Sequence, residues 1–266
     1  MLAQRYALGI EYDGSRFYGW QNQRQSPTVQ AVLEAALSQV AAEPLAVTAA
    51  GRTDRGVHAL CQVVHFDSGA RRSARAWVLG LNSHLPDPAA ARWLRPVGDD
   101  FHARYSAEAR TYRYRIVNRW TRPALDRHRA AWVYRPLDAL LMHEAAQCLA
   151  GEHDFSSFRA AGCQSHHARR RLETIAVQRQ GDEVWIEVTA NAFVYHMVRN
   201  IAGALIAVGH GARPASWIAE LLDARDRRLG GVTAPAAGLY FVGPRYAAHW
   251  HLPVGADPAF PGWNES

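Results

Sequence analysis

Residues 45–68 read "LAVTAAGRTDRGVHALCQVVHFDS", and the pattern of this stretch decides how the rest of the chain is read. Its two ends have strand composition, and Gly51, Asp54 and Gly56 between them supply turn chemistry, so the segment reads strand–turn–strand. Helical patterns flank it on both sides. In "SPTVQAVLEAALSQVA" (26–41), Val29, Val32, Leu33, Ala36, Leu37 and Val40 share one face at spacings of three and four. Ser26 is the expected N-cap there, with Pro27 at the first helical position. "SARAWVLGLNSHL" (73–85) predicts a second helix. "YALGIEYDG" (6–14), "ARWLRPV" and "TYRYRIVN" predict further strands.

The second half repeats this order of elements. "PLDALLMHEAAQCLAG" (136–151), "AFVYHMVRNIAGALIAVG" (192–209) and "PASWIAELLDARDR" (214–227) predict helices. "LETIAVQRQGDEVWIEVTA" (172–190) predicts a hairpin turning at Gln180-Gly181-Asp182, and "APAAGLYFVGPRY" (234–246) ends in a strand. Strands and helices alternate throughout, which predicts an α+β fold of two similar lobes, residues 1–105 and 106–248. The Pro- and Gly-rich tail 249–266 is expected to be poorly ordered.

Composition narrows the chemistry. The chain has 266 residues, 48% of them hydrophobic and 20% charged, values of a globular protein with a real core. The formal net charge of +6 favours a polyanionic partner. All 30 basic residues are arginine. A chain without lysine has no P-loop lysine, no Schiff-base lysine and no lysine general base. Its guanidiniums suit phosphates and stacked bases. Cys61, Cys148 and Cys163 are odd in number and share no short spacing, so a reducing compartment is expected. The N-terminus lacks an apolar targeting core, and "IAGALIAVG" (201–209) is too short to span a bilayer. A cytoplasmic protein without membrane attachment is the expectation.

Three stretches carry polar chemistry. Asp54 stands between Arg52 and Arg55, whose charge should keep it ionised. It either caps the turn through the backbone or is presented outward. "YDGSRFYGWQNQ" (12–23) interleaves Tyr12, Phe17, Tyr18 and Trp20 with Arg16, Gln21 and Gln23, which fits a nucleic-acid groove or an apolar patch at a strand end. "FHARYSAEARTYRYRIVN" (101–118) alternates Arg with Tyr, so one strand face carries Tyr112 and Tyr114 and the other Arg113 and Arg115. The run "HHARRR", His166 to Arg171, is a solvated loop or a phosphate contact, and RNA contact is favoured. Thirteen histidines show no metal-ligand spacing, so no metal site is expected.

"YDGSRFYGWQNQ", "GRTDRGVHALCQVVHF", "FHARYSAEARTYRYRI", "FVYHMVRNIAG" and "APAAGLYF" occur in the order and approximate spacing of one family. Across residues 6–246 the chain resembles the tRNA pseudouridine synthase A family, which modifies uridines in the anticodon stem-loop. The resemblance implies isomerisation of uridine to pseudouridine at tRNA positions 38, 39 and 40. It implies no cofactor and no metal, tRNA as partner, and a homodimer. It also implies two α/β lobes whose antiparallel sheets join into one central mixed sheet flanked by helices, with a positively charged cleft between them.

Position by position, Asp54 matches the family's catalytic aspartate and Arg52 the companion arginine that handles the flipped nucleotide. Tyr112 matches the tyrosine packing on the target uracil. Arg199 matches an arginine pairing with the catalytic aspartate, and Leu239 an aliphatic wall of the pocket. Tyr195 stands where His is expected in many relatives, and Phe241 where Leu or Ile is usual. Two other readings compete with this one: a non-catalytic RNA-binding module, and a metal-dependent nuclease using Asp54, His58 and His65.

Overall fold

In the computed structural model, which describes residues 3–23, 26–163, 165 and 167–254, strands and helices alternate along the whole chain. The first elements are β1 (Gln4–Tyr12), α1 (Val29–Ala41), β2 (Thr48–Ala49), β3 (His58–Ser68), α2 (Ala74–His84) and β4 (Ala89–Pro96). β5 (Ala107–Asn118), β6 (Ala131–Val133), α3 (Ala139–Ala146), β7 (Gly151–Asp154), β8 (Arg169–Gln180) and β9 (Glu183–Ala190) follow. α4 (Met197–Gly209), α5 (Trp217–Ala224) and β10 (Leu239–Tyr246) complete the set. The strands form a ten-stranded mixed sheet in the order β4-β1-β3-β10-β5-β9-β8-β7, with β2 on β3 and β6 on β5. This is the α+β class that the alternation predicts. The β5–β6 pair is parallel, whereas β1–β3, β1–β4, β5–β9 and β8–β9 are antiparallel.

Two units divide the chain: residues up to Glu108 with those from Phe241 onward, and Ala109–Tyr240. In the first, the β1–β3 register sets Tyr6 opposite Phe66 and Leu8 opposite Val64. The period of two sends Tyr6, Leu8 and Ile10 to one face, where Tyr6 stacks on Phe66 at 5.5 Å and Trp77 of α2 meets Phe66 edge-on at 5.5 Å. Leu33 and Leu37 of α1 and Leu81 of α2 are fully buried. On the opposite face Ala7, Cys61 and Val63 pack with Phe101, Ala103 and Tyr246. Contrary to the expectation for the tail, Trp250, Leu252 and Val254 pack against this second cluster, with Trp250 5.0 Å from the Phe101 ring. Residues 255–266 lie outside the described residues.

In the second unit Tyr114, Ile116, Ile186, Val188 and Ile175 bury the inner face of β5, β9 and β8. Met142 of α3, Ile201 and Leu205 of α4 and Ile218 of α5 are also buried. The hairpin predicted over 172–190 is β8–β9, turning at Gly181, whose φ of 58° is the left-handed geometry expected of that turn.

Helix ends depart from the pattern-based expectation. The N-cap of α1 is Thr28, whose side chain accepts from Ala31 N, and not Ser26. Long-range bonds decide this: Tyr18 N donates to Pro27 O at 2.9 Å and Thr28 Oγ1 to Asn22 Oδ1 at 3.1 Å, which draws Pro27 into the loop. α4 starts at Met197, because His196 takes a left-handed φ of 60°. α3 starts after the Asp138 cap and ends at Ala146, followed by a single 3-10 turn, and Gly151 opens β7. α5 is shorter than the predicted 214–227 and stops where Arg225 turns left-handed, at φ 50°.

Candidate active site

The turn carrying Asp54 lies between β2 and β3 and closes with Val57 N donating to Asp54 O at 3.1 Å. Gly56 has a φ of 79°, a conformation that costs other residues a Cβ clash. Upstream, Gln62 Nε2 donates to Gly51 O and Ala50 N to Val63 O at 2.8 Å, so the start of the loop is pinned to β3. Asp54 is half-buried, and Arg52 and Arg55 are exposed.

The stretch 12–20 is wrapped around this turn. Tyr12 OH and Thr53 Oγ1 share a buried bond of 2.8 Å, and Trp20 N donates to Thr53 O at 2.9 Å. A Cβ on Gly19 would stand 3.0 Å from Thr53 O, 3.1 Å from Arg55 N and 3.2 Å from Asp54 C, and the φ of Gly19 is 93°. Only glycine lets the two backbones approach this closely. Gly14 abuts Val57 in the same way, and its N donates to His58 Nδ1 at 3.1 Å. Arg55 lies over the Tyr18 ring, 4.1 Å from its centroid.

These contacts settle what the aromatics of 12–20 do. Tyr12, Phe17 and Trp20 are buried and pack on one another, with Tyr12 6.4 Å from Phe17 and 6.3 Å from Trp20. They are the wall behind the turn and not stacking platforms for bases. Tyr18 alone among them is exposed, and Arg55 occupies one of its faces. Burial pushes the Tyr12 phenol far above its ordinary range, so it stays a neutral hydrogen-bonding group. Sequence reasoning missed Thr53 and Gly19 as supports of Asp54; the glycines at 14 and 19 beside a GRTD turn were the signal available.

In the second unit, Tyr112 of β5 is half-buried and meets the Phe193 ring edge-on at 4.9 Å. Two residues on and on the same strand face, Tyr114 is buried and donates to Pro235 O at 2.8 Å. Arg199 lies in the first turn of α4. Its Nε donates to Ala234 O at 2.8 Å, and Ala234 N donates back to Arg199 O at 3.1 Å. Its Nη1 is 3.1 Å from His196 Nε2. Burial raises the Tyr114 phenol above its usual range, and the Arg199 charge partly draws it back. Leu239, buried, opens β10 directly after the 236–238 turn. Tyr114, Arg199 and segment 234–239 are thus assembled within this unit.

The rest of the "HMVRNIAG" stretch braces Arg199. Asn200 Nδ2 donates to Phe158 O at 2.7 Å, and its Oδ1 accepts from Thr233 Oγ1 at 2.6 Å and Arg227 Nη2 at 3.1 Å. A Cβ on Gly203 would stand 1.9 Å from Val232 O. Both residues hold the 227–234 loop against α4.

Other candidates have structural employment. Arg113 bonds Glu187 at 2.7 and 2.9 Å and lies over Trp185 at 4.5 Å. Arg115 bonds Asp126 at 2.8 Å and also Glu183. The arginine face of β5 is therefore neutralised by carboxylates. His58 and His65 are buried, and each ring accepts a backbone N–H, the latter from Ala103 at 3.1 Å. Burial pushes the Cys61 thiol up to about 11, which leaves it a poor nucleophile. Of the "HHARRR" run, His166 lies outside the described residues. Arg170 is buried, with Nη1 donating to His167 O at 3.1 Å and Nη2 to Ser165 Oγ at 2.7 Å, whereas Arg169 and Arg171 are exposed.

The family model described as tRNA pseudouridine synthase matches residues 9–106 and 145–247. The chain is 60% identical over 252 residues to the tRNA pseudouridine synthase A of Xanthomonas euvesicatoria pv. vesicatoria (strain 85-10), covering 94% of this chain and 98% of that protein. It is 59% identical over 251 residues to the tRNA pseudouridine synthase A of Stenotrophomonas maltophilia (strain K279a), with the same shares covered.

Proposed function

The chain belongs to the tRNA pseudouridine synthase family, isomerases of uridine in tRNA, and on that premise we propose that Asp54 is the carboxylate that acts at the sugar of the target uridine. The observation that carries this reading is the brace around the turn. Thr53 and Asp54 are held by Tyr12, Gly19 and Trp20 through bonds and contacts that fix the backbone. A carboxylate on a pre-organised turn loses little freedom when it reacts.

The reaction calls for little else. The C1′–N1 bond breaks, the uracil rotates, C1′ joins C5, the C5 proton leaves and N1 ends protonated. Atoms and electrons balance without an oxidant, a reductant or a group donor. A carboxylate serves here by attack on C1′, by stabilising charge on the sugar, or by removing a sugar proton. Tyr112 packs on the uracil as it turns, and its hydroxyl is the nearby group suited to take the C5 proton. Leu239 supplies an apolar wall. A base in a stem leaves its stack first, at a cost of roughly a few kcal/mol, and exposed Arg52 fills the gap or engages the phosphate. Arg199 acts on the turnover step. The targets are uridines 38, 39 and 40 of the anticodon stem-loop, and the working form is a cytoplasmic homodimer. Among the described residues no helix is long and apolar enough to cross a membrane.

The test is tritium release from tRNA carrying 5-tritiated uridine, without added metal. Wild-type protein releases the label and Asp54→Ala does not. Equal rates for the two proteins would remove Asp54 from the chemistry.

A further inference from the structure

Between β5 and α3 the chain runs "RWTRPALDRHRAAWVYR" (119–135), with five arginines against one aspartate. That aspartate, Asp126, is bonded to Arg115. The segment has a defined shape. β6 lies parallel to β5, with residues 131–133 opposite 116–118, and Trp132 Nε1 donates back to Arg119 O at 2.9 Å, tying the two ends together. Arg129 N and Ala130 N both donate to Asp126 O, at 2.9 and 3.0 Å, forming a tight turn.

What this frame displays is unusual for a surface. Trp120 is 83% exposed, Tyr134 57% and Trp132 42%. Trp132 and Tyr134 stand side by side with ring centroids 6.3 Å apart, and Arg135 lies over Tyr134 at 5.7 Å with Nε 3.1 Å from its hydroxyl. Arg122 and Arg127 are exposed and have no carboxylate in salt-bridge range among the described residues. The contrast with Arg113 and Arg115, which are neutralised on β5, is sharp. Exposed aromatic faces interleaved with the guanidiniums of Arg122 and Arg127 match the physics of single-stranded nucleic acid: bases stack on the rings and phosphates meet the charges.

We propose that Trp120, Trp132 and Tyr134, with Arg122, Arg127 and Arg135, form an RNA-contact surface that stacks unpaired bases and neutralises phosphates of the tRNA. The inference rests on the reading of the protein as a tRNA enzyme and extends it to a surface apart from the residues assigned to the chemistry. Charge decides between RNA and a second copy of the chain. A two-fold contact through this patch would bring together two copies of a segment with five arginines and one aspartate, a net repulsive arrangement.

The test uses the full chain and full-length tRNA across a salt series. Trp120→Ala weakens binding about tenfold, within the range of one lost base stack. Arg122→Gln with Arg127→Gln lowers the slope of log affinity against log salt by about 1.5, the loss of two phosphate contacts. Arg113→Gln, whose guanidinium is already ion-paired, leaves affinity and slope unchanged and serves as the control. Unchanged binding in both surface variants overturns the proposal. So does sedimentation showing that Trp120→Ala separates protomers while tRNA affinity is kept, since the surface would then lie between copies. If wild-type protein failed to bind tRNA at all, the functional reading itself would fall. If it binds and releases tritium while the surface variants bind equally well, only this surface falls.

Discussion

Tyr12 and Thr53 share a buried hydrogen bond of 2.8 Å one residue before Asp54, across 41 residues of chain. The bond ties the end of β1 to the turn that presents the carboxylate, and neither hydroxyl can turn to water instead. Tyr12→Phe leaves Thr53 Oγ1 buried without this partner and should cost about 1–2 kcal/mol in denaturant unfolding. Thr53→Val should cost a similar amount. Because both remove one bond, the double variant should lose clearly less than the sum. Strict additivity would show that the bond contributes nothing.

Gly19→Ala tests the same brace from the backbone side. The added Cβ meets Thr53 O at 3.0 Å and Arg55 N at 3.1 Å, both backbone atoms, at a φ of 93°. The strain should lower stability by about 1–3 kcal/mol. It should also slow single-turnover tritium release more than it weakens tRNA binding, because the displaced atoms belong to the turn that carries Asp54. A variant that is destabilised yet releases tritium at the wild-type rate would separate the brace from the chemistry.

How much of this was legible in the sequence depended on how far apart the interacting residues lie. The strand–turn–strand around Asp54 and the β8–β9 hairpin rest on local turn chemistry, and both are present. The aromatics of 12–20 were ambiguous, because buried rings behind a turn and exposed rings lining a groove produce the same alternation. The pairing of Tyr12 with Thr53 decides between them, and no local pattern reports it. The strand period puts Arg113 and Arg115 on one face of β5 but does not report their partners, since Glu183 and Glu187 lie about 70 residues away and face them only through the strand register. The α1 cap moved to Thr28 for a similar reason: Tyr18 and Asn22 draw Pro27 and Thr28 into the loop.

His65 gives the fold a pH dependence of defined sign. Burial, with nearby His102 and Arg5, lowers its pKa from the ordinary 6.5 to about 4, and Asp67 opposes only in part. The folded protein therefore binds less proton than the unfolded chain between these values. Stability from this site is full above about pH 6.5 and is lost as pH falls toward 4. His102, 4.7 Å away and shifted in the same direction, adds to the slope. His65→Asn keeps an acceptor near Nδ1 for Ala103 N but does not titrate. Its urea midpoint should fall less between pH 7.5 and 5 than that of the wild type. Parallel curves would assign the pH dependence to other groups.

Arg199 offers the sharpest division between binding and turnover. Its Nε and Nη1 are engaged by Ala234 O and His196, so the guanidinium plane is set by the protein before any substrate arrives. A charge fixed in this way stabilises a transition state without reorganising, and such groups act mainly on the chemical step. Arg199→Ala should therefore lower kcat by roughly 10²–10³-fold, while tRNA affinity changes by less than about threefold, since RNA binding sums many phosphate contacts. Arg199→Lys keeps the charge but loses the planar fork that meets Ala234 O and His196 together, and should recover only part of the loss. Thermal melts of both variants check that the 234–239 segment stays in place. A variant with normal kcat and weakened tRNA binding would make Arg199 a phosphate contact and remove it from the turnover step.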